Sequence, residues 1–204
     1  MIHQLQHLNY NMLCAMSIRT SGPNPNKHDI VQICIVALDH RIQMADKIPP
    51  FMVDIKPRRP ENIDYKLCEV TKKQLVNIGI NGLDAYDAAD RYDEWFEFLK
   101  LPKRKRIVPL VYNWSKMKPF LLDWLGFENC DQTLADQVRD LLPIAVAAND
   151  KACAKGKPCP YKKPTFSYLA HIANCYRYAK DCGGDCFTLI QTYNYMLKHE
   201  SLLL

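Results

Sequence analysis

The stretch IVQICIVALD, residues 30–39, constrains this chain more than any other. It is almost continuously apolar and β-branched, the pattern of a strand buried on both faces rather than one. Such a strand needs a packed layer above and below it, and so a central sheet between helices. Residues 12–19 read as a strand before it and PFMVDIKP, residues 50–57, as a strand after it, with turn-rich segments between. Adjacent strands joined by short turns predict an antiparallel meander of three.

The period then changes. TKKQLVNIGI reads as a short helix capped by Thr71. DAYDAADRYDEWFEFLK, residues 84–100, is a strong helix; Tyr86, Ala89, Tyr92 or Asp93, and Phe96 fall at helical spacing. Its first half is acidic, which the helix dipole favours. After the basic turn KRKR at 103–106, IVPLVYN reads as a strand and KPFLLDWLG as a short helix closed by Gly126. QVRDLLPIAVAAND opens as strand or helix. CAKGKPCPYKKP is a lysine- and proline-rich loop, TFSYLAHIANCY a helix capped by Thr165, and DCGGDCFTLIQTYNYMLKHE a long last helix. No repeat or linker divides the 204 residues, so one domain is expected. The order implies an α/β fold with a mixed central sheet that begins as three antiparallel strands and is flanked by helices.

Composition narrows function only coarsely. The apolar share is 48% and the charged share 24%, the composition of an ordinary globular protein, with no indication of disorder. No apolar run approaches the roughly 20 residues that cross a bilayer, so no membrane partner is expected. The opening MIHQLQHLNYN lacks a basic start and an apolar stretch, so no secretory signal is expected either. Nine cysteines without an export signal predict free thiols in a reducing, intracellular compartment. The net charge of +5 permits a nucleic-acid partner without requiring one.

Site chemistry starts at CAMSIRTSG, residues 14–22. Ser17 and Arg19 are two apart on a strand, hence on one face. A hydroxyl and a guanidinium are therefore aimed together at the strand's end.

The order of these elements resembles the DEDD family of 3′–5′ exonucleases, which have a ribonuclease-H-like fold. The likeness covers about residues 12–197 and rests on order and spacing, because no motif is intact. The family's first strand carries Asp-x-Glu before Thr-(Thr/Ser)-Gly; here Ser17-Ile18-Arg19 precedes Thr20-Ser21-Gly22. Val70 to Leu99 is similar to the family's turn-helix and following helix. VYNWSKMKPFLLDWLG is similar to its second motif through Asn113, Phe120 and Leu121. KDCGGD is similar to its third motif, His-x4-Asp, through Lys180 and Asp185.

The resemblance implies that four acidic positions, matching Ser17, Arg19, Met117 and Asp185, would hold two divalent cations, and that Lys180 stands where the general-base histidine would be. Only Asp185 keeps its chemistry. Mg²⁺ or Mn²⁺ wants hard oxygen ligands, a thioether such as Met117 is too soft, and a guanidinium cannot coordinate a cation. The five positions carry a net charge of +1, so a cation site has become a candidate anion site. Either Arg19 pairs internally with Asp185, or Arg19, Asn113, Trp114 and Lys180 meet the phosphates and bases of a single strand.

The function expected is that of a catalytically degenerate exonuclease-like protein that needs no cofactor and acts as a nucleic-acid-binding or protein-interaction module. One alternative is an active Mg²⁺- or Mn²⁺-dependent 3′–5′ exonuclease on DNA or RNA, in an inactivated form or with other ligands, for which Asp123 and Asp140 are the candidates. Another is an inhibitory or structural partner protein without nucleic-acid contact. Further candidates are Cys153, Cys159, His171 and Cys175, or Cys182 and Cys186, for zinc, although Cys-x5-Cys is not the usual spacing. The basic stretches at 56–60, 103–106 and 155–164, with Tyr161 and Trp114 as stacking rings, are candidates for a nucleic-acid backbone. Solvated loops and free thiols are the plainer readings of both.

Overall fold

The computed structural model describes residues 5–175 and 181–199. Five strands form one mixed sheet in the order β3-β2-β1-β4-β5. They are β1 (Met12–Thr20), β2 (Ile30–Ala37), β3 (Phe51–Asp54), β4 (Ile107–Val111) and β5 (Arg139–Asp140). β1 to β3 form the expected antiparallel meander, and β4 and β5 join in parallel. Among the described residues six α-helices flank the sheet: α1 (Lys72–Asn81), α2 (Ala85–Phe98), α3 (Trp114–Thr133), α4 (Leu141–Ala154), α5 (Phe166–Ile172) and α6 (Cys182–Lys198).

Every residue of β2 is buried, as its unbroken apolar run requires. Its side chains alternate between two cores. Ile33 and Ile35 face α2 and α3 together with Met12, Cys14 and Met16 of β1. Cys34 and Val36 face α6 together with Leu13 and Ala15. This period of two fixes where the end of β1 points: after Leu13 and Ala15, Ser17 and Arg19 belong to the α6 face.

Local signals set the helix starts. Thr71 and Gln74 form a complete capping box on α1. Asp84, Thr165 and Asp181 accept backbone N–H bonds at the starts of α2, α5 and α6. Two expectations need correction. The buried face of α2 is Ala85, Ala88, Tyr92 and Trp95, whereas Tyr86 is 83% exposed. Tyr92 alone of the predicted stripe is buried, because Trp95 anchors the helix by donating its indole N–H to the Pro49 carbonyl at 2.8 Å. Gly126, at φ 79°, breaks the helical geometry of α3 as anticipated, but the helix resumes and runs to Thr133. The ambiguous segment after residue 137 is both things in turn, two residues of β5 followed by α4.

The turn from β4 into α3 depends on a carboxylate from the neighbouring strand. Asn113 has left-handed backbone and no side-chain cap of its own. Asp140 takes its place, accepting the N–H groups of Asn113 at 2.8 Å, Trp114 at 2.7 Å and Leu142 at 3.0 Å. One side chain thus caps both α3 and α4. Asp140→Ala removes all three acceptors, and we expect it to cost about 2 kcal/mol. A urea melt with an unchanged midpoint would contradict this role.

Candidate functional site

The carboxyl ends of β1 and β4 open onto a cleft of about 280 Å³. Ser17 and Arg19 of β1, Asn113 and Met117 at the start of α3, and Asp185 in the first turn of α6 all line it. These residues, matched by spacing across 168 positions of sequence, meet in one place. Tyr112, Phe120, Phe166 and Leu189 supply the apolar walls. Lys180 lies outside the described residues.

Arg19 dominates the cleft. Its Nη2 donates to Asp185 Oδ2 at 2.5 Å, and its Nη1 donates to the Glu69 carbonyl at 3.2 Å. The two charged side chains are 13% and 6% exposed, so the pair is nearly withdrawn from water. The internal pairing is the arrangement found. Arg19 Nε has no acceptor among the described residues.

Two cleft residues were not foreseen. Glu69 accepts from the Thr20 backbone N–H at 2.9 Å and hydroxyl at 3.1 Å, and from Lys116 Nζ at 2.9 Å. The charges of Arg19, Lys116, Glu69 and Asp185 cancel among the described cleft residues; the positive balance expected from the motif positions also counts Lys180, which lies outside them. Glu69 sits in the loop before α1, and nothing local in the sequence marks it. Only the contact between that loop and the end of β1 reveals it.

Other candidates are placed elsewhere. Trp114 lines a separate cleft with Lys118, Leu121 and Cys130, because its position at the start of α3 turns the ring away from Arg19. Tyr161 is buried and held by Asn149, with which its backbone exchanges two hydrogen bonds, so its ring is not open for stacking. Asp123 forms ion pairs with Arg58 and Arg59, and Arg59 also binds the buried Asp29; these arginines of the 56–60 stretch therefore hold the fold together. Asp140 is committed to its three backbone N–H groups. Neither Asp123 nor Asp140 lines the cleft.

The thiols of Cys182 and Cys186 are buried and donate to the carbonyls of Gln32 and Cys34. Burial pushes both thiols well up from their usual range, which disfavours the thiolate that zinc needs. Cys153 and Cys159 have sulfurs 3.3 Å apart. Among the described residues, no group of three or more His, Cys, Asp or Glu side chains is placed to hold a metal ion.

No family model and no curated protein matches the sequence. Solved structures do match in shape. Escherichia coli exonuclease I in complex with a dT13 oligonucleotide superposes with a TM-score of 0.68 at 14% identity, over 94% of this chain and 42% of that one. The zinc-bound form of the same enzyme with single-stranded DNA gives 0.68 at 15% identity, over 95% and 42%. A product-bound form gives 0.60 at 14% identity, over 95% and 45%. The chain has the ribonuclease-H-like exonuclease fold. It spans less than half the length of those exonuclease chains.

In this exonuclease fold the Arg19–Asp185 pair has a testable energetic role. Arg19→Ala leaves the Asp185 carboxylate buried without its guanidinium and should destabilise the protein by roughly 3–5 kcal/mol. Replacing both partners, Arg19→Met with Asp185→Leu, should restore most of that loss, since an apolar pair strands no charge. Denaturant melts in which the double variant is as unstable as the sum of the two single variants would contradict a buried pair.

Proposed function

We propose that this chain is a catalytically degenerate exonuclease-fold protein, without metal-dependent nuclease activity, that binds single-stranded nucleic acid. The observation that carries the reading is the Arg19–Asp185 ion pair at 2.5 Å in the cleft. Two-metal phosphodiester cleavage needs cations about 3.5–4 Å apart to activate water and stabilise the leaving oxygen. The donors here do not fit them. Ser17 offers a neutral hydroxyl and Met117 a thioether. Asp185 already faces a permanent cation, since a guanidinium does not deprotonate. A divalent ion would have to displace that guanidinium and would then lie beside it.

Binding is supported by what the cleft keeps. Arg19 Nε is a buried donor without a protein acceptor among the described residues, so the guanidinium keeps hydrogen-bonding capacity beyond its bonds to Asp185 and Glu69. Lys116 is exposed at the rim. The exonuclease I structures of similar shape include complexes with single-stranded DNA.

One observation favours an active enzyme: Glu69 gives the cleft a second carboxylate near Asp185. An exonuclease assay with millimolar Mn²⁺ on end-labelled single-stranded DNA and RNA, run beside a metal analysis, decides between the two. We expect no shortened products and no bound metal; stepwise 3′ shortening would overturn the reading. Joint replacement of Ser17→Asp, Arg19→Glu, Met117→Asp and Lys180→His should introduce Mn²⁺ binding, seen as loss of the free-ion resonance signal. A folded quadruple variant with no Mn²⁺ affinity would contradict the assignment of these positions.

A further inference from the structure

A second charged groove lies at the opposite end of the sheet. It has a volume of about 480 Å³ and is lined by Lys100, Lys103, Arg104, Lys105 and Arg106, with Glu97 as the one acidic residue among its lining. Arg106 also approaches Asp131 at 3.5 Å. The register fixes its distance from the cleft. Ile107 pairs with Met12 at the start of β1, and Arg19 lies seven residues further on. At about 3.3 Å per residue the two sites are roughly 23 Å apart along the strand.

Two of the loop's cationic residues sit at left-handed backbone positions, as Tyr10 and Ile42 do elsewhere in the chain. Lys100, just past the end of α2, has φ 49°, and Arg104 has φ 65°. Arg104 is the third residue of a turn closed by the Lys105 N–H on the Pro102 carbonyl at 2.9 Å. Left-handed positions at helix ends and in turns favour glycine or asparagine. Here both hold long cationic side chains, at some conformational cost.

We infer that this groove is a second binding site for the phosphate backbone of a single-stranded nucleic acid, remote from the cleft. The inference rests on the nucleic-acid reading above and extends it to a longer strand. An acidic protein is the less suitable ligand. Protein interfaces gain most of their energy from apolar anchors in pockets, whereas Phe96 and Leu101, the apolar residues of this groove other than Pro102, already pack against the core. What the groove offers a ligand is a row of cations. A polyanion with regularly spaced charges matches that row, and its binding releases counterions.

The test pairs stability with binding. Labelled oligothymidylate and oligouridylate of about 16 nucleotides, a typical upper site size for one binding fold, are titrated by anisotropy over a range of salt. Lys100→Gly with Arg104→Gly should raise the melting temperature by about 2–4 °C as the left-handed positions relax. The same variant should weaken binding of both strands and reduce the salt slope by about 1.4, at about 0.7 per lost phosphate contact. Lys103→Gln with Lys105→Gln, which leaves the strained positions alone, should lower the slope by a similar amount. A folded variant that binds with the parent's affinity and slope would overturn the inference. So would a parent that binds neither strand, an outcome that leaves the Mn²⁺ result on the cleft standing. Polyglutamate bound more tightly than either oligonucleotide, and lost in the variants, would overturn it in favour of an acidic protein.

Discussion

A guanidinium at the buried end of a strand has to be neutralised, and much of the site follows from how this chain does it. Arg19 is carried to the α6 face by the alternation of β1. Its counter-charge comes from the first turn of α6, 166 residues away in sequence. The pair therefore ties the central strand to the last helix. Glu69 extends the same knot. Its carbonyl accepts from Arg19 Nη1, and its carboxylate holds the end of β1 and Lys116 of α3. Four segments distant in sequence meet through hydrogen bonds in which at least one partner is charged, the stronger kind.

The same scaffold could be stabilised differently. Converging side chains at the ends of β1, β4 and α6 enclose a small, partly dry space in which charges must nearly cancel. Carboxylates there demand external cations. An arginine and a carboxylate cancel within the chain. On the function proposed above, the second solution leaves no room for a metal beside Asp185, and the exposed Lys116 at the rim presents N–H donors to a phosphate.

The parts of this arrangement that were legible in the sequence are those governed by short periods. The unbroken run of β2 revealed a strand covered on both faces. The two-residue spacing of Ser17 and Arg19 placed them on one face, and Thr71 and Thr165 marked helix starts. Asp185 was reached through element order. What was not legible depends on distant contacts. Glu69 and Lys116 became cleft residues only when loop, strand and helix met. Asp140 looked like a spare carboxylate and is a cap for two helices. Trp114 and Tyr161 looked like stacking rings, yet one lines another cleft and the other is buried. The face of α2 was misplaced because a helix offering aromatic residues at many positions does not itself decide which face turns inward; Trp95 and its bond to Pro49 decide that.

We propose that the Arg19 guanidinium occupies the place that a metal-dependent exonuclease would give to a divalent cation. Anomalous diffraction from a crystal soaked in Mn²⁺ tests it most directly. We expect Arg19 in place on Asp185 and no anomalous peak within the cleft. A manganese peak between Asp185 and Glu69, with the arginine displaced, would contradict it.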